Sequence, residues 1–358
     1  MDDSSLIDFI EEVSGEVHLR VEENLGDGFV RLRSAEAERR QAKHDIRSVE
    51  DIVIEMLRNA RDAQAEHIFI ATTRDSDVRL MTVLDDGGGV PDALHDLIFE
   101  PRVTSKLDSM VIDDWGVHGR GMALFSIRSN VDDIHVCSSQ PGGGTAIAMR
   151  INTGTLAERS DQSTLPQIEK DAEGVLRVLR GPHNMVRCAT EFALANRGGV
   201  SVYLGSPSEI VATLIAHGQQ RLPREDLLFC TDPRQLAVCE RLAACSDATE
   251  LVSASATLGL ELSERTAHRI INRQISLVRP LPERLLPRRG ATAQKDVDLT
   301  KDARGLKIAT DDLESFSRAL ERAFEPLAQQ YYLSLADLPR ITVKGDTVTV
   351  RFQIEKEA

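Results

Sequence analysis

The pattern of apolar and polar residues divides the first half of the chain into one strong helix and several strands. Residues 48–65 predict the helix, because apolar side chains recur there at helical spacing. This stripe consists of Ile52, Met56, Ala60 and Ala63. Ser48 and Asp51, three residues apart at its start, form a pattern typical of a capping box. A second helix starts near Met122. Strands are predicted over 67–74, 78–86, 132–139 and 145–152.

The rest of the chain predicts a different organisation. Residues 1–45 favour one or two amphipathic helices around a break at residues 26–28. Residues 156–172 are polar and typical of a linker, 173–221 follow a β-α-β-α pattern, and 222–358 are mostly helical. Within the last region we expect an exposed loop over 280–305, a long helix over 310–331 and a terminal hairpin over 340–354.

Composition and charge narrow the classes of function. Hydrophobic residues make up 41% of the 358, which predicts a packed core rather than disorder. The net charge of -14 argues against a protein that binds nucleic acid over its whole surface, and the aromatic content of 4% argues against base-stacking surfaces. The five cysteines include no CxxC pair, so neither a disulfide framework nor a zinc site is expected.

Long apolar runs do not occur in the sequence. Residues 1–16 are acidic, and no stretch of about 18 apolar residues is found. We therefore expect a cytoplasmic protein with no signal peptide and no membrane partner.

The predicted helix over 48–65 carries candidate chemistry. Glu55 and Asn59 are four residues apart and share one face, while Asp62 lies on a neighbouring face. A carboxylate can act as general base towards a water, and a carboxamide oxygen one turn away can ligate Mg²⁺. The solvated face of a surface helix fits the same pattern, so this segment alone leaves both interpretations open.

Two glycine-containing turns adjoin predicted strands. Asp85 ends one strand and is followed by Gly87 and Gly89. A carboxylate there can accept a hydrogen bond from an exocyclic amine such as N6 of adenine, and glycines let the backbone approach a flat ring. The other turn, residues 142–144, precedes Thr145, whose hydroxyl could face the same ligand. Taken singly, each is equally an ordinary tight turn.

A third glycine-rich segment leads into the helix near Met122. Spaced glycines expose backbone N–H groups, and the helix N-terminus adds a positive partial charge, so the segment suits a polyphosphate. The polar region 101–121 is typical of a mobile loop. Lys106 could neutralise phosphate charge or be an ordinary solvated lysine. The candidate ligands are Lys106, Gly116, His118, Gly119, Arg120, Gly121 and Met122.

Taken in order, these segments resemble the sequence boxes of the GHKL superfamily, which includes gyrase-type ATPases, large heat-shock chaperones, histidine kinases and mismatch-repair MutL proteins. Phe99 resembles the residue before the lid in kinase-like and type IIB topoisomerase-like members. The resemblance covers about residues 45–152. Its boxes are ExxxNAxDA at 55–63, DxGxG at 85–89, GxxGxG at 116–121 and GGGT at 142–145.

The resemblance implies an α+β fold, a two-layer sandwich of the Bergerat type with a mixed sheet, that forms an ATP-binding domain over 46–155. It also implies ATP and Mg²⁺ as ligands. Glu55 would activate the attacking water, Asn59 would hold Mg²⁺, and Asp85 would bind the adenine amine with support from Thr145. Asp62, with the glycines near Asp85, would complete the adenine-nucleotide site. The loop 116–121 would close over the phosphates as a lid.

Three interpretations of the whole chain stay open. The first is an ATPase whose nucleotide state drives a shape change or dimerisation, because the NAxDA pattern resembles MutL and topoisomerase relatives. Residues 1–45 could then form a strap in a homodimer, and 156–358 could serve as a transducer. Those relatives place a lysine of the second domain on the γ-phosphate. The lysines available here are Lys301, Lys307 and Lys344, none with a supporting context.

The second interpretation is a histidine kinase that acts on a protein partner. His44 lies only eleven residues before Glu55, which does not suit transfer within one chain, and His18 is the other upstream candidate.

The third interpretation is an ATP-regulated DNA-binding protein. Residues 249–275 resemble a helix-turn-helix, with a turn near Gly259 and Ser263 as a helix cap. The second helix would place three arginines on one face: Arg265, Arg269 and Arg273. Helix pairs around a glycine are also common in packed cores, so nucleic-acid binding stays open.

Overall fold

A computed structural model describes residues 21–105, 111–113, 116–118, 121–170, 175–230, 232–286, 310–331, 333–344 and 347–356. The chain divides into two compact units, 1–287 and 288–358. No helix among the described residues combines the length and the apolar composition needed to cross a membrane.

The first unit contains most of the described secondary structure. Its strands are β1 (Val21–Gly26), β2 (Phe29–Leu32), β3 (His67–Asp75), β4 (Val78–Asp85), β5 (Val103–Thr104), β6 (Val111–Asp113), β7 (Gly116–His118), β8 (Asp133–Ser139), β9 (Thr145–Asn152), β10 (Gln167–Lys170), β11 (Leu176–Arg180) and β12 (Ser201–Gly205). Its α-helices are α1 (Glu36–Ala42), α2 (Val49–Asp62), α3 (Ala123–Arg128), α4 (Met185–Ala195), α5 (Pro207–Arg221), α6 (Arg224–Phe229), α7 (Ala248–Thr257), α8 (Glu264–Ile271) and α9 (Leu281–Leu285).

A five-stranded mixed sheet is the centre of this unit. The strand order is β12-β3-β4-β9-β8, with β12 parallel to β3 and the other neighbours antiparallel. Because successive side chains of a strand point to opposite faces, every strand contributes to two cores. The mixed sheet with helices packed on it confirms the predicted fold class.

The first face of the sheet packs against α2 and α4. Ile68 and Ile70 of β3 join Ile52, Leu57 and Phe192 in one apolar cluster. Helix α2 begins where the sequence predicts, because the Ser48 hydroxyl accepts from the Asp51 N–H and the Asp51 carboxylate accepts from the Ser48 N–H. This capping box sets the start of the helix that carries Glu55 and Asn59.

The second face of the sheet is covered as well, by α5, α7 and α8. Phe69 and Leu84 point to this side and pack with Ile210, Leu251 and Ile270. Burying each such side chain contributes about 1.5–3 kcal/mol. Residues that sequence analysis left outside the sandwich therefore form a third layer on it.

Residues 156–170, the described part of the predicted linker 156–172, are packed against the first unit or paired as a strand. Leu156 is buried in the first core, and the Glu158 carboxylate pairs with Arg79 and Arg74. Residues 167–170 form β10, which pairs with β11. The Glu158 carboxylate is held against the sheet by its ion pairs, so the polar composition of this segment does not make it a solvent-exposed linker.

Of the helices predicted around a break at residues 26–28, helix is wrong for residues 21–32, whereas α1 is a helix after the break. Strands β1 and β2 form a hairpin there, and α1 follows. Asp27 and the glycines beside it have positive φ, which suits a tight turn and breaks a helix. Strand β2 also pairs with β5 through Val30 and Thr104, a contact between distant residues that overrides local helical periodicity.

The predicted boundary near residue 155 does not separate compact units. Strand β12, from the predicted α/β segment 173–221, is an edge strand of the same sheet, and α7 and α8 from 222–358 pack on it. The predicted loop 280–305 begins with α9, and its residues 287–305 lie outside the described residues.

The described residues of the second unit form one long helix and two strand pairs. The elements are α10 (Thr310–Tyr331), β13 (Leu333–Leu335), β14 (Arg340–Lys344), β15 (Thr347–Arg351) and β16 (Ile354–Lys356). Strands β14 and β15, on either side of the predicted turn, pair antiparallel. Phe324 stacks on Phe352 with ring centroids 5.0 Å apart, which fixes the helix against the strands of this unit.

Candidate functional site

A cavity of about 1060 Å³ lies between α2, the end of β4, the start of β9 and the start of α3. The predicted site residues that line it are Glu55, Asn59, Asp62, Asp85, Gly89, Gly121, Met122 and Thr145. The fold thus brings parts of the DxGxG, GxxGxG and GGGT segments next to the polar face of α2, which carries the fourth segment. Gly87 does not line the cavity, but the next residue, Gly88, does.

Some predicted site residues cannot be placed at the cavity. Lys106, Gly119 and Arg120 lie outside the described residues. Gly116 and His118 are described as backbone of β7, which pairs with β6. The predicted loop therefore contains a short antiparallel ladder. Phe99 is buried in the first core and does not line the cavity.

Asn59 presents an unsatisfied polar group. Its amide nitrogen is buried and has no hydrogen-bond partner among the described residues. Leaving such a group unpaired costs about 1–3 kcal/mol, so a bound ligand, an ion or a water is needed to satisfy the side chain. Rotation of the carboxamide exchanges its oxygen and nitrogen, so either atom can occupy this position. The environment of Asn59 fits a residue that holds a ligand.

Glu55 is oriented by a buried arginine one turn along α2. The Arg58 Nη1 atom donates to Glu55 Oε1 over 2.6 Å, and the Arg58 side chain is only 4% exposed. The Glu55 side chain is 21% exposed and lines the cavity. A charge-assisted hydrogen bond of this length fixes the carboxylate beside Asn59. Sequence analysis missed Arg58, although its i,i+3 spacing from Glu55 is a recognisable signal.

Asp85 and Thr145 face each other across the β4–β9 ladder. Both are buried, and Asp85 Oδ1 accepts from the Gly87 N–H over 2.9 Å. The Thr145 hydroxyl lies 3.0 Å from the hydroxyl of Ser139, which also accepts from the Val90 N–H over 2.7 Å. Two hydroxyls beside a buried carboxylate can form hydrogen bonds with the polar atoms at the edge of a heterocyclic ring. Ser139 gives no motif signal of its own.

The two glycine turns of this site pack against each other. A Cβ atom on Gly89, which has φ +70°, would lie 1.9 Å from the Gln140 carbonyl oxygen. A Cβ atom on Gly144, with φ +88°, would lie 2.1 Å from the Asp85 carbonyl oxygen. The Gly142 N–H donates to the Gly88 carbonyl over 2.7 Å. Glycine is required at residues 89 and 144 because the backbone of the opposite turn occupies the space that a side chain would need.

Residues of the β1–β2 hairpin also line the cavity. Asp27 and Phe29 contribute to its wall, and β2 pairs with β5 at the start of the segment 101–121. The two ends of that segment also meet, because the Arg102 N–H donates to the Gly121 carbonyl over 2.8 Å. Sequence analysis missed these contributions because it predicted helix for the hairpin.

The described lining is strongly acidic. It contains six carboxylates and two guanidinium groups, those of Arg47 and Arg58. Because like charges repel at short range, a polyphosphate would enter such a site most favourably together with a cation. The carboxylates are those of Asp27, Asp45, Asp51, Glu55, Asp62 and Asp85.

The histidine and lysine candidates do not join this site within the described residues. His44 is exposed in the turn after α1 and does not line the cavity. His18, Lys301 and Lys307 lie outside the described residues, and Lys344 belongs to the second unit as part of β14.

The segment predicted as a helix-turn-helix contains two helices, α7 and α8, and Ser263 caps α8. The placement of Arg273 on the second helix is wrong, because α8 ends at Ile271 and Arg273 has φ +55°. Arg265 and Arg269 are exposed on α8. Gly259, between the helices, accepts through its carbonyl from the Thr82 hydroxyl over 2.7 Å. The pair therefore packs its apolar side on the sheet.

Comparison with known proteins agrees with this geometry. Residues 44–155 match the family model described as "Histidine kinase-, DNA gyrase B-, and HSP90-like ATPase". The chain is 36% identical to the DNA mismatch repair protein MutL of Chelativorans sp. (strain BNC1) over 123 residues, which cover 31% of the chain. Over 102 residues, 28% of the chain, it is 38% identical to MutL of Lactiplantibacillus plantarum.

These matches concern one part of the molecule. The chain covers only 20% and 15% of the lengths of the two MutL proteins. The matched segment begins just before α2 and ends just after β9, so it includes every described predicted site residue. Residues 44–155 therefore form an ATP-binding domain of the GHKL superfamily.

Proposed function

We propose that this protein binds ATP with Mg²⁺ and hydrolyses it, and that the nucleotide state drives a shape change or dimerisation. The observation that carries the proposal is the shared cavity lined by Glu55, Asn59, Asp85 and Thr145. These side chains come from a helix and two strands, and each has a chemical role in one reaction.

ATP fits the arrangement of polar groups. The Asp85 carboxylate, buried at the end of β4, would accept from the adenine amine, and Thr145 would support it through a water. Gly121 has φ +65° and lies at the start of α3, where exposed N–H groups can meet phosphate oxygens. The Asn59 carboxamide oxygen would hold Mg²⁺, which when bound neutralises phosphate charge in this acidic cavity, and its amide nitrogen could donate to the same ligand.

In the proposed hydrolytic step, a side chain of this protein accepts the proton of the attacking water. Glu55 would accept a proton from a water whose oxygen attacks the γ-phosphorus, and the bond to the β–γ bridging oxygen breaks. ADP and inorganic phosphate leave. Arg58 positions the Glu55 carboxylate through their 2.6 Å hydrogen bond. The same pair lies on one turn of α2, so the geometry is set by a capped, buried helix.

The ATPase interpretation is better supported than the kinase interpretation. The upstream histidine within the described residues, His44, is exposed and does not line the cavity, which argues against phosphate transfer within one chain. The relatives named above are DNA mismatch repair proteins, which agrees with the NAxDA resemblance. Because the matches cover about a third of the chain, they support the nucleotide site and carry no information on the other residues.

Labelling of the γ-phosphate tests the proposal. Purified protein is incubated with Mg²⁺ and γ-labelled ATP, and both soluble phosphate and protein-bound label are counted. We expect label to appear as inorganic phosphate and not on protein. Label retained on the protein supports the kinase interpretation. Tight binding with neither outcome would show a nucleotide sensor and would overturn hydrolysis.

A further inference from the structure

Two histidines and an aspartate form a cluster beside the adenine end of the site but outside the cavity lining. They are His67 at the start of β3, Asp86 directly after β4, and His217 on α5. One ring nitrogen of each histidine and one carboxylate oxygen lie within 4.8 Å of one another. The three residues come from separate parts of the chain, so no sequence motif reveals them.

The cluster is held in place by its surroundings. His67 Nδ1 lies 2.8 Å from Asp86 Oδ2, and Asp86 Oδ1 accepts from the N–H groups of Glu66 and His67. The ring centroids of His217 and His67 are 4.5 Å apart, and the His217 ring packs edge-on against Phe69. Each ligand atom is therefore oriented without any bound ion.

His217 provides an independent sign that a partner is missing. Its Nε2 atom is buried and has no hydrogen-bond partner among the described residues. Burial of this nitrogen without a partner is costly, whereas a metal ion would satisfy its lone pair. The other two residues of the cluster pair with each other, so His217 is the member that lacks a hydrogen-bond partner among the described residues.

We propose that His67, Asp86 and His217 bind a divalent transition-metal ion, with zinc as the best fit. Zinc takes imidazole nitrogen and carboxylate oxygen at about 2.0–2.2 Å, which places ligand atoms about 3.3 Å apart in a tetrahedron. The present separation of at most 4.8 Å needs only small side-chain movements to close. Three protein ligands leave one position for water or a fourth ligand.

Charge and protonation suit this ion. Burial, aided by nearby His67 and Arg221, lowers the pKa of His217 to about 4, so its imidazole is neutral and can donate a lone pair at neutral pH. Burial acts to raise the pKa of Asp86, but hydrogen bonds from His67 outweigh it and lower the pKa, which keeps the carboxylate ionised. Arg221 is 3.8 Å from Asp86 and also pairs with Glu240, which can retain it.

Such an ion would connect α5 to the turn that carries Asp85. Asp86 is the neighbour of Asp85, and His67 lies on the adjoining strand. The ion would cross-link the second layer of the sheet to the adenine end of the nucleotide site. It would be distinct from the Mg²⁺ held by Asn59, because the ligands differ in type and position.

Zinc binding by the full chain tests the proposal. Protein stripped with a chelator is titrated with zinc chloride in the absence of nucleotide and Mg²⁺, and binding is followed by calorimetry. Cobalt(II) provides a second readout through its visible absorption bands. We expect one zinc ion per chain, with affinity at least about 100-fold lower in His217→Ala and in His67→Gln.

The matched control is His135→Ala. His135 also lies 2.8 Å from an aspartate, Asp133, but belongs to no three-residue cluster among the described residues. We expect zinc affinity unchanged in this variant, and circular dichroism verifies the fold of all variants. Equal zinc affinity in wild type and His217→Ala, or no zinc binding by wild type, would overturn the site. Because no ATP is present, this result is independent of the proposed ATPase.

Discussion

Among single residues, Glu55 combines two roles that can be separated by mutation. It is the proposed proton acceptor, and it is a charge partner of the buried Arg58. Glu55→Ala removes both, and loss of a hydrogen bond to a charged group costs about 1.5–3 kcal/mol of stability. Glu55→Gln keeps an acceptor for Arg58 and removes the basic carboxylate.

We predict that Glu55→Gln binds ATP with near wild-type affinity and hydrolyses it at least about 100-fold more slowly. Phosphate release and calorimetric binding measure the two properties separately. Glu36→Gln is the control, since Glu36 pairs with Arg40 on the exposed surface of α1. Unchanged turnover in Glu55→Gln would refute its role as the general base.

Asp85 tests the adenine end of the site. Asp85→Asn retains an oxygen for the Gly87 N–H but replaces the charged acceptor of the adenine amine. We predict that affinity for ATP and ADP falls by about 10–100-fold, the equivalent of one charge-assisted hydrogen bond. Competition binding with GTP is the reference. An equal loss for adenine and guanine nucleotides would show that Asp85 does not read the base.

Glu158 shows how a segment predicted as linker contributes to stability. Burial acts to raise the pKa of its carboxyl, but hydrogen bonds and charge from Arg79 and Arg74 hold it below the ordinary value of 4.5. A lowered pKa stabilises the fold above pH 4.5, and this contribution is lost as the pH falls through the folded-state pKa.

We predict that Glu158→Gln lowers the free energy of unfolding by about 3 kcal/mol at pH 7, because it breaks a buried ion pair. Urea unfolding at pH 7 and near pH 4 should show the difference from wild type shrinking as the pH falls. Glu191→Gln, which removes a partly exposed i,i+4 pair with Arg187, should cost far less. A pH-independent difference would contradict the ion-pair account.

The polar site residues that could be predicted from the sequence belong to motifs whose members lie close together in the sequence. Glu55 and Asn59 share a helix face, and Asp85 and Thr145 adjoin glycine turns. Ser139, Asp27 and His217 were not predicted, because their partners lie far away in sequence and no local pattern marks them.

At the scale of elements, the turn between α7 and α8 is packed against the central sheet. Gly259 has φ +72°, and a Cβ atom there would lie 2.6 Å from Cys137 Sγ and 2.8 Å from Ala148 Cβ. The glycine is therefore required for packing as well as for backbone conformation. This contact explains the glycine that the helix-turn-helix hypothesis assigned to a DNA-binding turn.

We predict that Gly259→Ala destabilises the protein by about 2–5 kcal/mol, from left-handed backbone strain and from overpacking. Gly142→Ala is a matched control, because Gly142 has the same φ of +72° and a Cβ atom there would have no described neighbour within 4 Å. The control should cost only about 1–2 kcal/mol. Equal losses in urea unfolding would show that the close packing of Gly259 is unimportant.

Elements with strong periodicity were predictable, and those that depend on a distant partner were not. Helix α2 and strands β3 and β4 follow from their apolar spacing and from the Ser48 cap. Strands β1 and β2 were missed because pairing with β5 decides their conformation. Strand β10 was missed because its polar side chains hide its pairing with β11.

At the scale of the molecule, the sheet that carries the candidate nucleotide site extends beyond the matched segment. Strand β12 and helices α5, α7 and α8 build onto the same sheet, although they lie after residue 155. No local pattern predicts that a later strand will join an earlier sheet. Truncation of the chain near residue 155 would expose Phe69 and Leu84, so we expect the proposed ATP site to need the later elements of the first unit for its stability.

The central claim is that this unit holds ATP through a magnesium-dependent contact at Asn59. Calorimetric titration of ATP into the full chain, with Mg²⁺ and with chelator, tests it directly for wild type and Asn59→Ala. We predict one ATP per chain, at least about 10-fold tighter with Mg²⁺, and loss of that enhancement in Asn59→Ala while metal-free binding persists. No binding of ATP, or equal affinity with and without Mg²⁺ in wild type, would contradict the account.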